Sequence, residues 1–112
     1  MMTESTFRKL ALALPESVES SHMGHPDFRV RNKIFASLMP DEGWGMVKLT
    51  PSQQQYFIES SPDAFMPVPG GWGRRGATRV VLKAVLKSEA RNALAAAWRN
   101  VAPKSLVQLH DE

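Results

Sequence analysis

Three cations lie close together in the segment from Gly24 to Leu38, at Arg29, Arg31 and Lys33. Guanidinium and ammonium groups bind phosphate oxygens, and arginine adds directional hydrogen bonds to the attraction. The cluster therefore predicts phosphate contacts with a nucleic acid, because basic clusters of this kind are typical of nucleic-acid-binding proteins. The alternative is an exposed turn whose charges only keep an edge strand from pairing with another chain.

A second basic group follows at Arg74, Arg75 and Arg79. Residues 74 to 104 contain eight bases and one acid, whereas the whole chain of 112 residues has a net charge of +3. This asymmetry favours an anionic partner, although a solvated surface explains it equally well. If the second group and the first lie on one side of the molecule, the six residues form one DNA-binding patch.

A different set of residues has the chemistry of a small-ligand or protein-interaction site. Trp72 lies between two glycines, which permit close approach, and its indole ring is able to stack on a base or to cover a concavity. His25, Asp27 and Phe28 complete the set. The alternatives are that Trp72 fills the core and that Asp27 pairs with Arg29 or accepts backbone hydrogen bonds in the turn. A structural or regulatory fold without a ligand is the third hypothesis.

Metal binding and catalysis have little support. His22, His25 and Asp27 are of types that bind zinc or iron, but they surround a turn that contains Pro26. The third histidine, His110, lies near the C-terminus. The sequence has no cysteine, no Gly-x-Ser-x-Gly motif and no phosphate-binding loop. We therefore expect a non-enzymatic protein with no metal and no cofactor.

The elements that position these residues follow from the periodicity of the apolar side chains. Apolar positions at helical spacing predict a first helix over residues 3 to 13. Alternation predicts a hairpin, with a strand at Phe28–Val30, a two-residue turn at Arg31-Asn32 and a return strand at Lys33–Met39. In the return strand, alternation places Ile34, Ala36 and Leu38 on one face and Phe35, Ser37 and Met39 on the other.

The second half of the chain has clearer helix signals. Thr50, Pro51 and Gln53 predict a capping box that begins a short helix, and Ser88 predicts the cap of a last helix. Three prolines and several glycines make residues 61 to 76 too irregular for a regular element. The remaining predictions are a short polar strand at residues 18 to 23, strands at 44 to 49 and 77 to 83, and a last helix that ends before Pro103.

This order of elements predicts a single α+β domain over residues 1 to 112, built as a two-layer sandwich. Its core covers about residues 5 to 102, and residues 103 to 112 form a tail. No apolar run approaches the length of about 20 residues that spans a bilayer. We expect a cytoplasmic monomer that does not bind membranes, and the sequence leaves its protein partners open.

Several segments resemble the MmcQ/YjbR family over about residues 5 to 102. The matching pieces are Leu14-Pro15, His25-Pro26-Asp27-Phe28-Arg29-Val30, Lys33-Ile34-Phe35-Ala36, Trp44 to Leu49, Gly70-Gly71-Trp72-Gly73 and Ala77 to Lys83. The resemblance implies a CyaY-like fold, in which a curved antiparallel sheet has the N- and C-terminal helices packed on one face. It also implies the family's description as predicted DNA-binding proteins with a double wing. Arg31-Asn32 departs from the glycine expected in the turn and adds a cation to its tip.

Overall fold

Six antiparallel strands form one curved sheet in the computed structural model, which describes residues 2–112. The order of the strands across the sheet is β1-β2-β3-β4-β6-β5. The elements are α1 (Glu4–Leu12), β1 (Ser17–His22), β2 (His25–Val30), β3 (Lys33–Met39), a 3-10 turn (Pro40–Glu42), β4 (Trp44–Lys48), α2 (Pro51–Ser60), β5 (Phe65–Pro67), α3 (Gly71–Arg74), β6 (Ala77–Val81), α4 (Lys87–Val101) and α5 (Lys104–Asp111). This architecture confirms the predicted α+β sandwich.

The predicted hairpin is confirmed as β2 and β3. Both turn residues have positive φ, 49° for Arg31 and 70° for Asn32, which is the geometry of a two-residue type I′ turn. The register pairs Phe28 with Ala36 but Arg29 with Ile34, so β3 carries one extra residue there as a β-bulge. The predicted faces of β3 are therefore wrong at Ile34, because alternation does not continue through a bulge.

Local capping interactions begin the helices. The predicted capping box of α2 is confirmed, since the N–H of Gln53 donates to Thr50 Oγ1 at 3.2 Å and the N–H of Thr50 donates to Gln53 Oε1 at 3.0 Å. The predicted cap of α4 is wrong. That helix begins after Leu86, whose N–H donates to the Glu89 carboxylate at 2.9 Å. The Glu89 side chain thus stabilises the first turn without a capping hydroxyl.

Helices α1 and α4 pack on one face of the sheet and bury the core. Small residues of α4 allow a close approach to β3 and β4, and Trp98 is fully buried. The indole N–H of Trp98 donates to the Pro15 carbonyl at 3.0 Å, which ties α4 to the loop after α1. A Cβ added at Gly45 would lie 2.7 Å from the Phe7 ring, so only glycine permits α1 to lie this close to β4.

Two segments are more regular than the sequence suggested. Residues 61 to 76 contain the short strand β5 and the helix α3, which correct the prediction that this segment has no regular element. Residues 104 to 111, which were assigned to a tail, form α5. Leu106 of α5 is buried, and Asp111 forms an ion pair with Arg99. The C-terminal segment therefore packs onto the domain.

Candidate nucleic-acid interface

The sheet face opposite α1 and α4 carries most of the exposed chemistry, and we call it the open face. Strand registers place Ser37, Met46 and Arg79 side by side across β3, β4 and β6 on this face. Asp27 of β2 lies beside Ser37. The residues that alternate with these along the strands, such as Val47 and Val80, point to the other face and are buried under the helices. The open face is thus a polar and aromatic surface on a rigid sheet.

Asp27 belongs to the open face, but its own surface is fully buried. Its carboxylate contacts the side chains of Arg29 and His22. Its carboxylate accepts hydrogen bonds from Arg29 Nε at 2.8 Å and Arg29 Nη2 at 3.1 Å, and it lies 2.7 Å from His22 Nδ1. The Arg29 hydrogen bonds hold the pKa of Asp27 below its ordinary value despite burial, and the His22 bond lowers it further. Because an ionised carboxylate only accepts, His22 carries its hydrogen on Nδ1.

The three cations of the hairpin differ in whether they already form an ion pair. Arg29 is occupied by Asp27, and the same hydrogen bond raises the pKa of Arg29. Arg31 turns toward the start of β1 and forms a bidentate ion pair with Glu16, with N–O distances of 2.5 and 3.1 Å. Within residues 2–112, Lys33 forms no ion pair and is exposed. Lys33 is thus the hairpin cation that is available to an anion.

Helix α3 lies at the hairpin end of the sheet and presents Trp72. The Gln54 amide donates to the carbonyls of Gly73 at 3.0 Å and Ala77 at 3.1 Å, which fixes both ends of the loop after α3. Gly73 is pressed against the backbone of Val68, since an added Cβ would lie 1.7 Å from the Val68 carbonyl oxygen. Trp72 nevertheless keeps 65% of its surface exposed. Gly73, which follows Trp72, therefore serves this close packing.

A cavity of about 340 Å³ lies between Trp72 and the sheet, and we call it the tryptophan cavity. Its apolar lining comes from Ile34, Met39, Trp44, Met46, Val68, Trp72 and Ala77. Its polar lining comes from His22, Ser37 and Lys48. Ile34 reaches this cavity because of the bulge in β3. Two indole rings and two thioethers make a surface suited to a flat, polarisable group.

A second cavity of about 450 Å³ adjoins the first at the end of the sheet, and we call it the cationic cavity. It is lined by Arg29, Asn32, Lys33, Ile34, Lys48, Asn100 and Val101. Ile34 and Lys48 line both cavities, so the two lie next to each other. The backbone carbonyl of Lys48 accepts a hydrogen bond from the Asn100 side-chain amide at 2.9 Å, and this bond fixes the end of β4.

Arginine–indole contacts support both tryptophans. The Arg79 guanidinium lies over the Trp44 ring at 4.3 Å from its centroid, and the Arg75 guanidinium lies 5.7 Å from the centroid of Trp72. Both distances fall within the range of cation–π attraction. Arg79 Nε is buried and has no hydrogen-bond partner among residues 2–112.

The structure brings together only part of the predicted sites. Arg29, Lys33, Arg75, Arg79 and Trp72 lie at or beside the two cavities. Arg31 pairs with Glu16, and Arg74 lines a separate hollow with Gln54. Phe28 is buried on the helix side against Phe7 and cannot line the cavities, and His25 lies opposite His22 across the β1–β2 turn.

Sequence reasoning considered His22 only as a metal ligand and missed Trp44, Met46 and Lys48 as site residues. Alternation in β4 does place Trp44, Met46 and Lys48 on one face, but nothing local says that this face stays uncovered by a helix. The part of the chain that the structure describes contains no cluster of three histidine or acidic side chains able to hold a metal. Among those same residues, no helix has the length and apolarity needed to cross a bilayer.

Comparisons with known proteins give one family and one fold. A sequence model of the YjbR family matches residues 12–100. Among solved structures, the chain is similar to the crystal structure of Deinococcus radiodurans protein DR2400, which belongs to the domain family DUF419. That alignment has a TM-score of 0.72 at 17% identity and covers 88% of this chain and 77% of that chain. At this identity the likeness concerns the fold. A comparison with curated proteins found no match.

Proposed function

This chain belongs to the YjbR family, and we propose that it is a non-enzymatic DNA-binding protein that contacts phosphates at the hairpin end of its open face. The observation that carries this proposal is that the cationic cavity adjoins the tryptophan cavity and shares Lys48 with it. Lysines from two strands meet there beside exposed aromatic surface. Such a combination of charge and stacking surface is typical of nucleic-acid-binding sites.

The local charge supports an anionic partner. Four cations at or near this end form no ion pair within residues 2–112: Lys33, Lys48, Arg74 and Arg75. Arg79, further along the open face, also forms none. Asp27 is the one carboxylate that the described strands place on the open face, and Arg29 balances it. An approaching phosphate therefore meets a net positive field, and its binding releases counterions.

The roles of the predicted residues change accordingly. Lys33 and Lys48 line the cationic cavity and are assigned direct phosphate contacts, while Arg75 and Arg79 sit beside the tryptophans. Arg29 is assigned a positioning role through Asp27. Arg31 leaves the proposed contact set because binding a phosphate would require it to release Glu16.

Charge reversal of the two lysines tests the proposal. We expect Lys33→Glu with Lys48→Glu to weaken binding of a fluorescein-labelled DNA roughly tenfold or more at low salt, because two phosphate contacts become repulsive. In fluorescence anisotropy titrations at several salt concentrations, the slope of log K against log salt should also fall by about two for duplex DNA.

A charge-matched control separates site contacts from net charge. Lys9 of α1 and Lys87 of α4 are exposed and line neither cavity. Lys9→Glu with Lys87→Glu changes the net charge equally, and we expect a much smaller loss of affinity. Equal losses in the two double variants, or no binding by the wild type at low salt, would overturn the proposal.

The tryptophan cavity also favours a second candidate, a small-ligand module. Its volume lies at the lower end of the range of about 300–1,000 Å³ that holds small organic ligands. The lining of this cavity differs from the predicted ligand site, because it includes His22 and Trp44 but not the predicted residues His25 and Phe28. Quenching of tryptophan fluorescence by a free mononucleotide, without any response to DNA, would favour this candidate.

A further inference from the structure

We infer that the tryptophan cavity receives one unstacked base and that the DNA bound by this protein is single-stranded. This inference rests on the proposed DNA binding and specifies its substrate. In a duplex each base is stacked and paired, so its flat face is not accessible to an indole ring. A single strand is able to turn a base out and stack it on an aromatic side chain.

The geometry of the cavity matches a flat aromatic group. Trp44 enters it from the sheet and Trp72 enters it from α3, while Met46 lies beside Trp44 on the same strand face. Stacking on an aromatic side chain is worth roughly 5- to 150-fold in affinity per base. A volume of about 340 Å³ accommodates one base and excludes a double helix.

Both indole rings are held before a ligand arrives. The Arg79 guanidinium covers Trp44 at 4.3 Å, and its buried Nε limits its movement into solvent. Trp72 belongs to a helix fixed by the Gln54 hydrogen bonds and by the contact of Gly73 with Val68. A pre-formed stacking surface loses little conformational entropy on binding, which favours affinity.

Polar groups at the cavity wall are suited to the edge of a base. His22 carries its hydrogen on Nδ1 toward Asp27, so Nε2 accepts a hydrogen bond in the neutral ring. The Ser37 hydroxyl either donates or accepts, because it rotates freely. His22 Nε2 thus requires a donor on the edge of the base, whereas Ser37 pairs with either a donor or an acceptor.

The adjoining cavity supplies the phosphate site. Lys48 lines both cavities, and Lys33 lies on the far side of the cationic cavity. A nucleotide with its base in the tryptophan cavity thus has its phosphate near two lysines. One nucleotide of a strand occupies both cavities, which accounts for aromatic and cationic surface lying next to each other.

Three labelled ligands of equal length test the inference by fluorescence anisotropy: a thymine single strand, a duplex, and a strand of abasic sites with the same number of phosphates. We expect the thymine strand to bind at least roughly fivefold more tightly than the abasic strand and the duplex. Trp72→Ala should remove this preference. Trp72→Phe should restore most of it.

Tyr56→Ala is the matched control, because Tyr56 is 66% exposed and lines neither cavity. It should retain the preference, and circular dichroism should show all three variants folded. If the wild type binds all three ligands equally, the inference fails while the proposed phosphate binding stands. If it binds none of them, the proposed function itself fails. If a free mononucleotide binds as tightly as the strand, the cavity is a small-ligand site and the inference is overturned.

Discussion

At the scale of single residues, Asp27 is the side chain on which the open face depends. It is fully buried, whereas its partners Arg29 and His22 keep 25% and 43% of their side-chain surface exposed. Its carboxylate balances the guanidinium and fixes the tautomer of His22. One buried anion thus orients two side chains that line the adjoining cavities.

Replacing Asp27 should therefore destabilise the protein. We expect Asp27→Asn to lower the free energy of unfolding by about 3 kcal/mol, at the lower end for broken buried ion pairs because both partners retain water contact. Urea unfolding followed by tryptophan fluorescence measures the change. Glu19→Gln is the control, since it breaks the exposed Arg8–Glu19 pair and should have an effect below about 1 kcal/mol. Equal effects would contradict the assigned role.

The same carboxylate makes stability sensitive to acid. The folded-state pKa of Asp27 lies below the ordinary value of 3.8, so the unfolded chain takes up this proton at a higher pH than the folded protein. The stabilisation is then fully present above pH 3.8 and is lost as the pH falls through the lowered folded value. The difference in stability between the wild type and Asp27→Asn should shrink as the pH falls from about 5 to about 2. A constant difference over this range would refute the explanation.

At the scale of elements, the short helix α3 packs beside the open face of the sheet and thereby forms one wall of the tryptophan cavity. It has four residues, too few for intrinsic helical stability, so tertiary contacts must hold it. Gly73 against Val68 and the hydrogen bonds from Gln54 supply those contacts. The position of Trp72 therefore depends on packing behind the helix and not on the indole itself.

Two glycines of α3 allow a matched test of this dependence. Gly73→Ala should lower stability by about 2 kcal/mol or displace α3, because its Cβ would lie 1.7 Å from the Val68 carbonyl oxygen. Gly71→Ala is the control, since its nearest heavy atom would be Arg74 Nη2 at 3.7 Å. Thermal unfolding and near-ultraviolet circular dichroism of the tryptophans measure both effects. Similar behaviour of the two variants would show that α3 is not held at Gly73.

At the scale of the whole molecule, the core and the proposed binding surface lie on two sides of one sheet. The helix face buries the core, including Phe7, Leu38 and Trp98. The open face carries the tryptophan cavity. The cationic cavity lies at the hairpin end of the sheet, where Asn100 and Val101 of α4 also line it. The longest dimension of the domain is 34 Å, so one copy spans only a short stretch of a DNA strand. Separation of this kind lets the binding surface vary without disturbing the core.

Features that arise from neighbouring residues were predictable from the amino-acid sequence. The Arg31-Asn32 turn and the Thr50–Gln53 capping box each depend on interactions within a few positions. The family resemblance, confirmed by the match over residues 12–100, rests on short motifs of the same kind.

Which cations are available and which aromatic rings line one cavity became known only from the folded structure. Glu16 reaches Arg31 from fifteen positions away, and a bulge turns Ile34 to the open face. Folding also brings Trp72 of α3 and Trp44 of β4 to the lining of one cavity. Such contacts join residues far apart in the chain, and their energies depend on burial and geometry that no local pattern contains.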